Sequence, residues 1–147
     1  MAQPMPRCDF DADKTLVRFT ATIRADVEAI QPVLNGIMQI IKEMKCGAGK
    51  EYEIELALQE ALANAVIHGC GNDSSKVVEC CVSCDQSRGL LIVVRNPGPG
   101  FDPASIPNPT IGQNVFSEHG RGIYLVNQLM DEVHFERGGT EIHMRKF

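Results

Sequence analysis

The stretch Glu60-Ala-Leu-Ala-Asn64-Ala-Val-Ile-His68-Gly69 sets a carboxylate and a carboxamide one turn apart on an otherwise apolar helix. Residues four apart share one side of an α-helix. Stepping about 100° per residue from Ile54 puts Ala57, Leu58, Ala61, Leu62 and Ala65 on one broad apolar face. Such a face must be buried against a second layer. Glu60 and Asn64 fall on its flank, beside Leu56 and Ile67, and not on the watery side with Glu55 and Gln59. An ionised carboxylate there costs free energy unless something pairs with it. Taken alone, the pair fits a cap on neighbouring backbone as well as it fits a ligand site.

Two glycine clusters further along bear on that choice. Asn96-Pro-Gly98-Pro-Gly100-Phe-Asp102 follows the apolar run Leu90-Leu-Ile-Val-Val94. A strand that runs into alternate glycines makes a turn whose backbone can approach a flat ligand. His119-Gly120-Arg121-Gly122 precedes Ile123, Leu125, Val126, Leu129 and Met130 in helical rhythm. Glycines at a helix start expose its first amide N–H groups, and the helix dipole adds partial positive charge, which suits an anion. A lone Gly-x-Gly is more often only a turn. The polar-pair helix, the strand-end turn and the glycine-opened helix are specific together, in this order.

The remaining elements follow from periodicity. Lys14 to Arg24 alternates as a strand, and residues 1–12, with Pro4 and Pro6, read as a flexible leader to a single domain over 13–147. Val27, Ile30, Leu34, Ile37, Ile41 and Met44 repeat at helical spacing, with Pro32 expected to mark the helix start or kink its first turn. Cys46-Gly47-Ala-Gly49 ends that helix, and Glu51 to Gly69 forms the next. Strands are expected over 76–85 and 89–95, a helix over 121–130, and a hairpin pairing 132–136 with 140–146 around Arg137-Gly-Gly139. Residues 102–118, rich in Pro, Asn, Gly and Ser, read as a lid between the glycine clusters. The sum is a two-layer α/β (α+β) sandwich, a mixed sheet covered on one face by three helices.

Charge and cysteine usage exclude other classes. A chain of 147 residues with net charge −5 lacks the basic footprint that direct nucleic-acid binding needs. No apolar run reaches membrane length and no secretory leader is visible, so a cytoplasmic protein is expected. Strand alternation sends Cys80 and Cys84 to one face and Cys81 to the other, so Cys81-x-x-Cys84 cannot close a zinc site or a disulfide locally. Cys8 and Cys46 are isolated, and His68 and Cys70 lack further metal ligands nearby. Reduced, buried thiols are the expectation.

With these motifs in place, the chain resembles the Bergerat-fold, histidine-kinase-like ATPases over roughly residues 14–147. Within them it is most similar to the small anti-sigma regulatory factors that are serine protein kinases. The ending is especially similar, from Gly120-Arg-Gly-Ile-Tyr-Leu-Val-Asn-Gln-Leu-Met-Asp-Glu-Val133 to Gly139-Thr-Glu-Ile-His-Met-Arg-Lys146. The resemblance implies ATP and Mg²⁺ as cofactors. It implies Glu60 as the catalytic base on an attacking hydroxyl and Asn64 as the magnesium ligand. Gly120 and Gly122 would offer amides to the phosphates, with Arg121 near the terminal one or else on the lid or a carboxylate. Asn96, Gly98 and Gly100 would line the adenine end.

The partners implied are an anti-anti-sigma-type protein substrate, a sigma factor, and a second copy in a homodimer. Its surfaces would be the helix around Ile30–Met44 and an edge strand near Phe19. Alternative readings are a non-catalytic nucleotide-dependent switch and a detached histidine-kinase catalytic domain. His68 reads as a packed or supporting histidine, His119 as solvent-facing, Asp102 as a turn cap and Arg95 as paired on the sheet surface. The chain departs from the family pattern twice. Asn96 stands where the first glycine box opens with aspartate. Its neutral carboxamide can still accept from an adenine amino group, but it can also turn over and donate. No arginine lies between Arg24 and Arg88, which leaves the family's basic contact to a sigma factor without a counterpart.

Overall fold

The computed structural model describes residues 15–47, 49–85, 89–100 and 118–147. Strand β1 (Thr15–Arg24) leads into helix α1 (Val27–Glu43), and α2 (Glu51–Asn64) runs without a break into a π-helical turn, Ala65–Gly69. Strands β2 (Val77–Asp85) and β3 (Gly89–Arg95) follow, then α3 (Glu118–Leu129), β4 (Glu132–Glu136) and β5 (Glu141–Lys146). The five strands make one sheet in the order β1-β2-β3-β5-β4. Every pairing is antiparallel, which corrects the expected mixed sheet. Two of its four pairings, β2–β3 and β4–β5, join strands consecutive in sequence across short links, an arrangement that antiparallel strands allow and parallel ones do not.

The three helices lie on one face. Ile23, Val78, Val82, Ile92 and Met144 from the sheet meet Leu34, Met38 and Ile41 of α1, Ile54, Leu58 and Leu62 of α2, and Val126 of α3. On the opposite face Cys81 and Val93 form a separate small apolar cluster with Leu91. The alternation expected for the cysteines in β2 therefore holds. Among the described residues no helix is long and apolar enough to cross a membrane.

Pro32 does not start α1. Asp26 caps the helix six residues earlier, its carboxylate accepting the Glu28 N–H at 3.0 Å, and Pro32 sits inside. The other end closes as a Schellman motif, with Lys45 N–H on Lys42 O at 3.1 Å and Cys46 N–H on Ile41 O at 3.0 Å. Lys45 takes the left-handed conformation there, φ 58°.

That turn delivers Cys46 to β2, where it forms a disulfide with Cys84, Cα–Cα 6.1 Å. Cys81 is disulfide-bonded as well, so the expectation of reduced thiols holds only for Cys70 and Cys80. Spacing could not show the Cys46–Cys84 bond, because 38 residues separate two cysteines that only helix–sheet packing brings together. Burial pushes the Cys80 thiol up to about 12, which leaves it protonated and inert.

Two sets of polar contacts tie the inner strands to their neighbours. Lys146 donates from Nζ to Leu129 O at 2.5 Å, at the C-terminal end of α3, and pairs with Glu53 of α2 at 2.8 Å. Arg95 pairs with Glu79 on one neighbouring strand at 3.2 Å and Glu141 on the other at 3.4 Å. It is paired across the sheet as expected, but buried.

Candidate active site

Helix α2 packs against both α1 and α3 and buries Ile54, Ala57, Leu58, Ala61 and Leu62. The flank that carries Glu60 and Asn64 is thereby turned towards α3, and both side chains are half-buried. Gly122 of α3 closes on them. A Cβ built there would stand 3.2 Å from Glu60 Oε2, 3.3 Å from Asn64 Nδ2 and 3.4 Å from Asn64 Oδ1. Neither side chain carries a hydrogen bond or ion pair among the described residues. An acid and an amide side by side on a cavity wall, neither tied to another described residue, leave their oxygens free to meet a ligand.

Two adjoining cavities meet here. One, of about 300 Å³, is lined by Glu60, Asn64, His68, Gly122 and Leu125 among others. The other, of about 240 Å³, has Asn64 and His68 on its wall too, and extends between Val94, Ile123, Phe135 and Ile142 to Asn96, Gly100 and Thr140. The first is polar at the helix flank. The second is a slot whose walls mix apolar Val94, Ile123, Phe135 and Ile142 with polar Asn64, His68, Asn96 and Thr140. Together they suit a flat ring carrying a charged tail.

The glycine turn after β3 is built around Asn96. Its Oδ1 accepts the Gly98 N–H at 2.8 Å. Gly98 packs against the π-helical turn so closely that an added Cβ would stand 2.0 Å from Gly69 O. Gly100, at φ 80°, passes Gly138 O with no room for a side chain.

The sequence brings Glu60, Asn64 and Gly122 together as one group and Asn96, Gly98 and Gly100 as another. Helix α3 begins at Glu118, three residues before the expected Arg121. Gly120 thus keeps a first-turn amide without an intrahelical partner, whereas the Gly122 amide lies one step inside the helix. Gly122 contributes clearance more than an N–H. The side chains of His119 and Arg121, Asp102, and the expected lid over 102–118 up to Ser117 lie outside the described residues. So do the 1–12 segment and Cys8.

Sequence reasoning did not single out Gly69, Phe135 or Thr140 as lining residues. Gly69 ends the polar-pair stretch and Thr140 follows the terminal hairpin turn, so their neighbours were visible. Phe135 carried no signal beyond strand alternation. Among the described residues no group of three or more His, Cys, Asp or Glu side chains could hold a metal ion. A magnesium ion held by the Asn64 oxygen, phosphate oxygens and waters needs no such group, and the unpartnered Asn64 fits that donor set.

This sheet-and-helix layer with a polar pair on its middle helix is that of a nucleotide-binding ATPase domain. Residues 23–146 match the Histidine kinase-like ATPase domain family, and the chain belongs to it. Its relatives include an anti-sigma F factor of Priestia megaterium, 29% identical over 100 residues, 64% of this chain and 67% of that one. The serine-protein kinase RsbW of Bacillus licheniformis is 34% identical over 105 residues, covering 65% and 63% of the two chains. RsbW of Bacillus subtilis is 31% identical over 104 residues with the same coverage. The matched stretch therefore spans a little under two thirds of each RsbW kinase's own length.

Proposed function

We propose that this protein is a regulatory serine protein kinase of the anti-sigma type. It binds ATP with magnesium and transfers the terminal phosphoryl group to a serine of a small anti-anti-sigma-type protein. The observation that carries this reading is the half-buried Glu60 one turn from Asn64, both facing Gly122 and neither paired among the described residues, with Asn64 on the wall of both cavities. The family, and relatives named as a serine-protein kinase and an anti-sigma factor, support it.

Phosphoryl transfer depends on positioning and charge neutralisation more than on covalent chemistry. Glu60 would take the proton of the serine hydroxyl as its oxygen attacks the γ-phosphorus and ADP leaves. Asn64 would hold magnesium through Oδ1, and the metal when bound would neutralise phosphate charge. Gly120 and Arg121 would meet the phosphates. The slot would take the base, with Asn96 and Gly100 on its wall.

Incubating the pure protein with labelled ATP and candidate partners, then mapping the phosphorylated residue, tests the reading. Label on a partner serine supports it. Label on a histidine would identify a detached histidine-kinase domain. Tight partner binding without label would identify a non-catalytic switch, the reading that the neutral Asn96 favours.

Asn64→Ala is expected to remove most of the gain in ATP affinity that Mg²⁺ provides. Calorimetry with and without Mg²⁺ measures that gain directly. Equal affinities for wild type and variant at saturating Mg²⁺ would remove Asn64 from the metal site.

Homodimerisation is part of the same proposal. Ile30, Leu34, Ile37 and Ile41 are buried in the core, which leaves Val27 and Met44 of that stripe exposed, with Ile40 beside them. Strand β1 stands at the sheet edge, and an uncovered edge strand invites pairing. Light scattering on a sizing column is expected to give twice the 16.1 kDa chain mass. A 16.1 kDa species at high concentration would discard the dimer.

A further inference from the structure

Asn96 lines the slot, and its carboxamide is held in one orientation. Oδ1 accepts the Gly98 N–H at 2.8 Å, and Nδ2 donates to Thr140 O at 3.4 Å. The same carbonyl accepts the Asn96 backbone N–H at 3.0 Å. Turning the amide over would set NH₂ against an N–H and oxygen against a carbonyl, so the alternative rotamer left open by the sequence is disfavoured on both sides. Gly69 lies flat against the group, since a Cβ there would stand 2.3 Å from Asn96 Cγ and 2.6 Å from both Nδ2 and Oδ1.

The side of the amide that faces the slot follows from what lines it. Thr140 is on the cavity wall and Gly98 is not. Nδ2 is the amide atom on the Thr140 side, and it keeps one hydrogen after serving Thr140 O. No Asp, Glu, Lys or Arg lines this slot among the described residues. A base entering it meets a neutral N–H donor.

We propose that Asn96 fits the base pocket to a 6-oxopurine, so that guanine nucleotides bind at least as tightly as adenine nucleotides. This inference rests on the reading of the slot as the base end of a nucleotide site. Guanine offers a carbonyl oxygen at position 6, which accepts from Nδ2. Adenine offers an amino group there, which sets a donor against a donor. A carboxylate at position 96 would reverse both contacts.

The test is a titration of wild type and Asn96→Asp with ATP, GTP and ITP in the presence of Mg²⁺. ITP shares the guanine carbonyl and lacks the 2-amino group, so it isolates position 6. Wild type is expected to bind GTP and ITP at least as tightly as ATP. Asn96→Asp is expected to shift the GTP-to-ATP affinity ratio towards ATP by ~10-fold, the exchange of a neutral for a charged hydrogen bond. Wild type preferring ATP more than threefold over both others would overturn the proposal, and that arm stands even if the variant does not fold. A folded variant with an unchanged ratio would also overturn it, because Asn96 would then not face the base. Binding of none of the three would overturn the nucleotide reading instead.

Discussion

Glu60→Ala is expected to cut phosphoryl transfer by ~10²–10⁴-fold, the usual contribution of a positioned base, while ATP affinity stays within about twofold of wild type. The separation follows from geometry. Glu60 lines the cavity beside Gly122 and takes no part in the slot where Asn96, Phe135 and Ile142 lie. Its carboxylate has no partner among the described residues, so truncation leaves no orphaned cation behind and costs the fold little. Single-turnover transfer to the partner protein, read beside calorimetric ATP binding, measures both quantities. Transfer at the wild-type rate would make Glu60 a structural acid. Lost ATP binding would mean that Glu60 contacts the nucleotide and not the nucleophile.

The second large effect concerns stability. Cys46 and Cys84 close a loop between residues 38 apart, and a cross-link of that span stabilises by ~4 kcal/mol in the chain-entropy account. The double variant Cys46→Ala/Cys84→Ala is expected to unfold at a correspondingly lower urea concentration than the oxidised wild type. Using the variant, and not a reductant, keeps the other disulfide-bonded cysteine, Cys81, out of the comparison. Equal midpoints, or two free thiols at positions 46 and 84 in the air-oxidised protein, would refute the cross-link. Cys46 itself is buried in the core, in a turn where Lys45 and Gly47 both take positive φ.

Most of the elements could be read from residues alone because their periods are clean. The bounds expected for β2 and β3, the latter from its apolar run, fall within a residue of those observed, and the helical stripe from Val27 to Met44 located α1. Pro32 misled because its local penalty is one missing hydrogen bond, and the packing of Ile30, Leu34 and Ile37 outweighs it. Strand direction was not legible, since hydrophobic pattern reports which face is buried and not which neighbour pairs. Of the site, Glu60 and Asn64 were visible as a conflict between polarity and position, and Gly122 as a gap before a helix. The contact of Gly122 with both of them was not visible, because it depends on how α2 and α3 cross. The Cys46–Cys84 bond was hidden for the same reason.

The π-helical turn after Asn64 acts as a one-residue delay in the phase of α2. An α-helix brings a residue back to the same side about every 3.6 steps, whereas here Cys70 N–H reaches Ala65 O, five residues back. The straight part of α2 presents Glu60 to the polar cavity, and the widened part then turns Gly69 onto Asn96. One continuous segment thereby sets the spacing between the two ends of the ligand site. A residue added to or removed from that turn would change which of its members meets Asn96, and Ala65, His68 and Gly69 of it line the cavity themselves. The length of this turn is as much a part of the site as the side chains that line it.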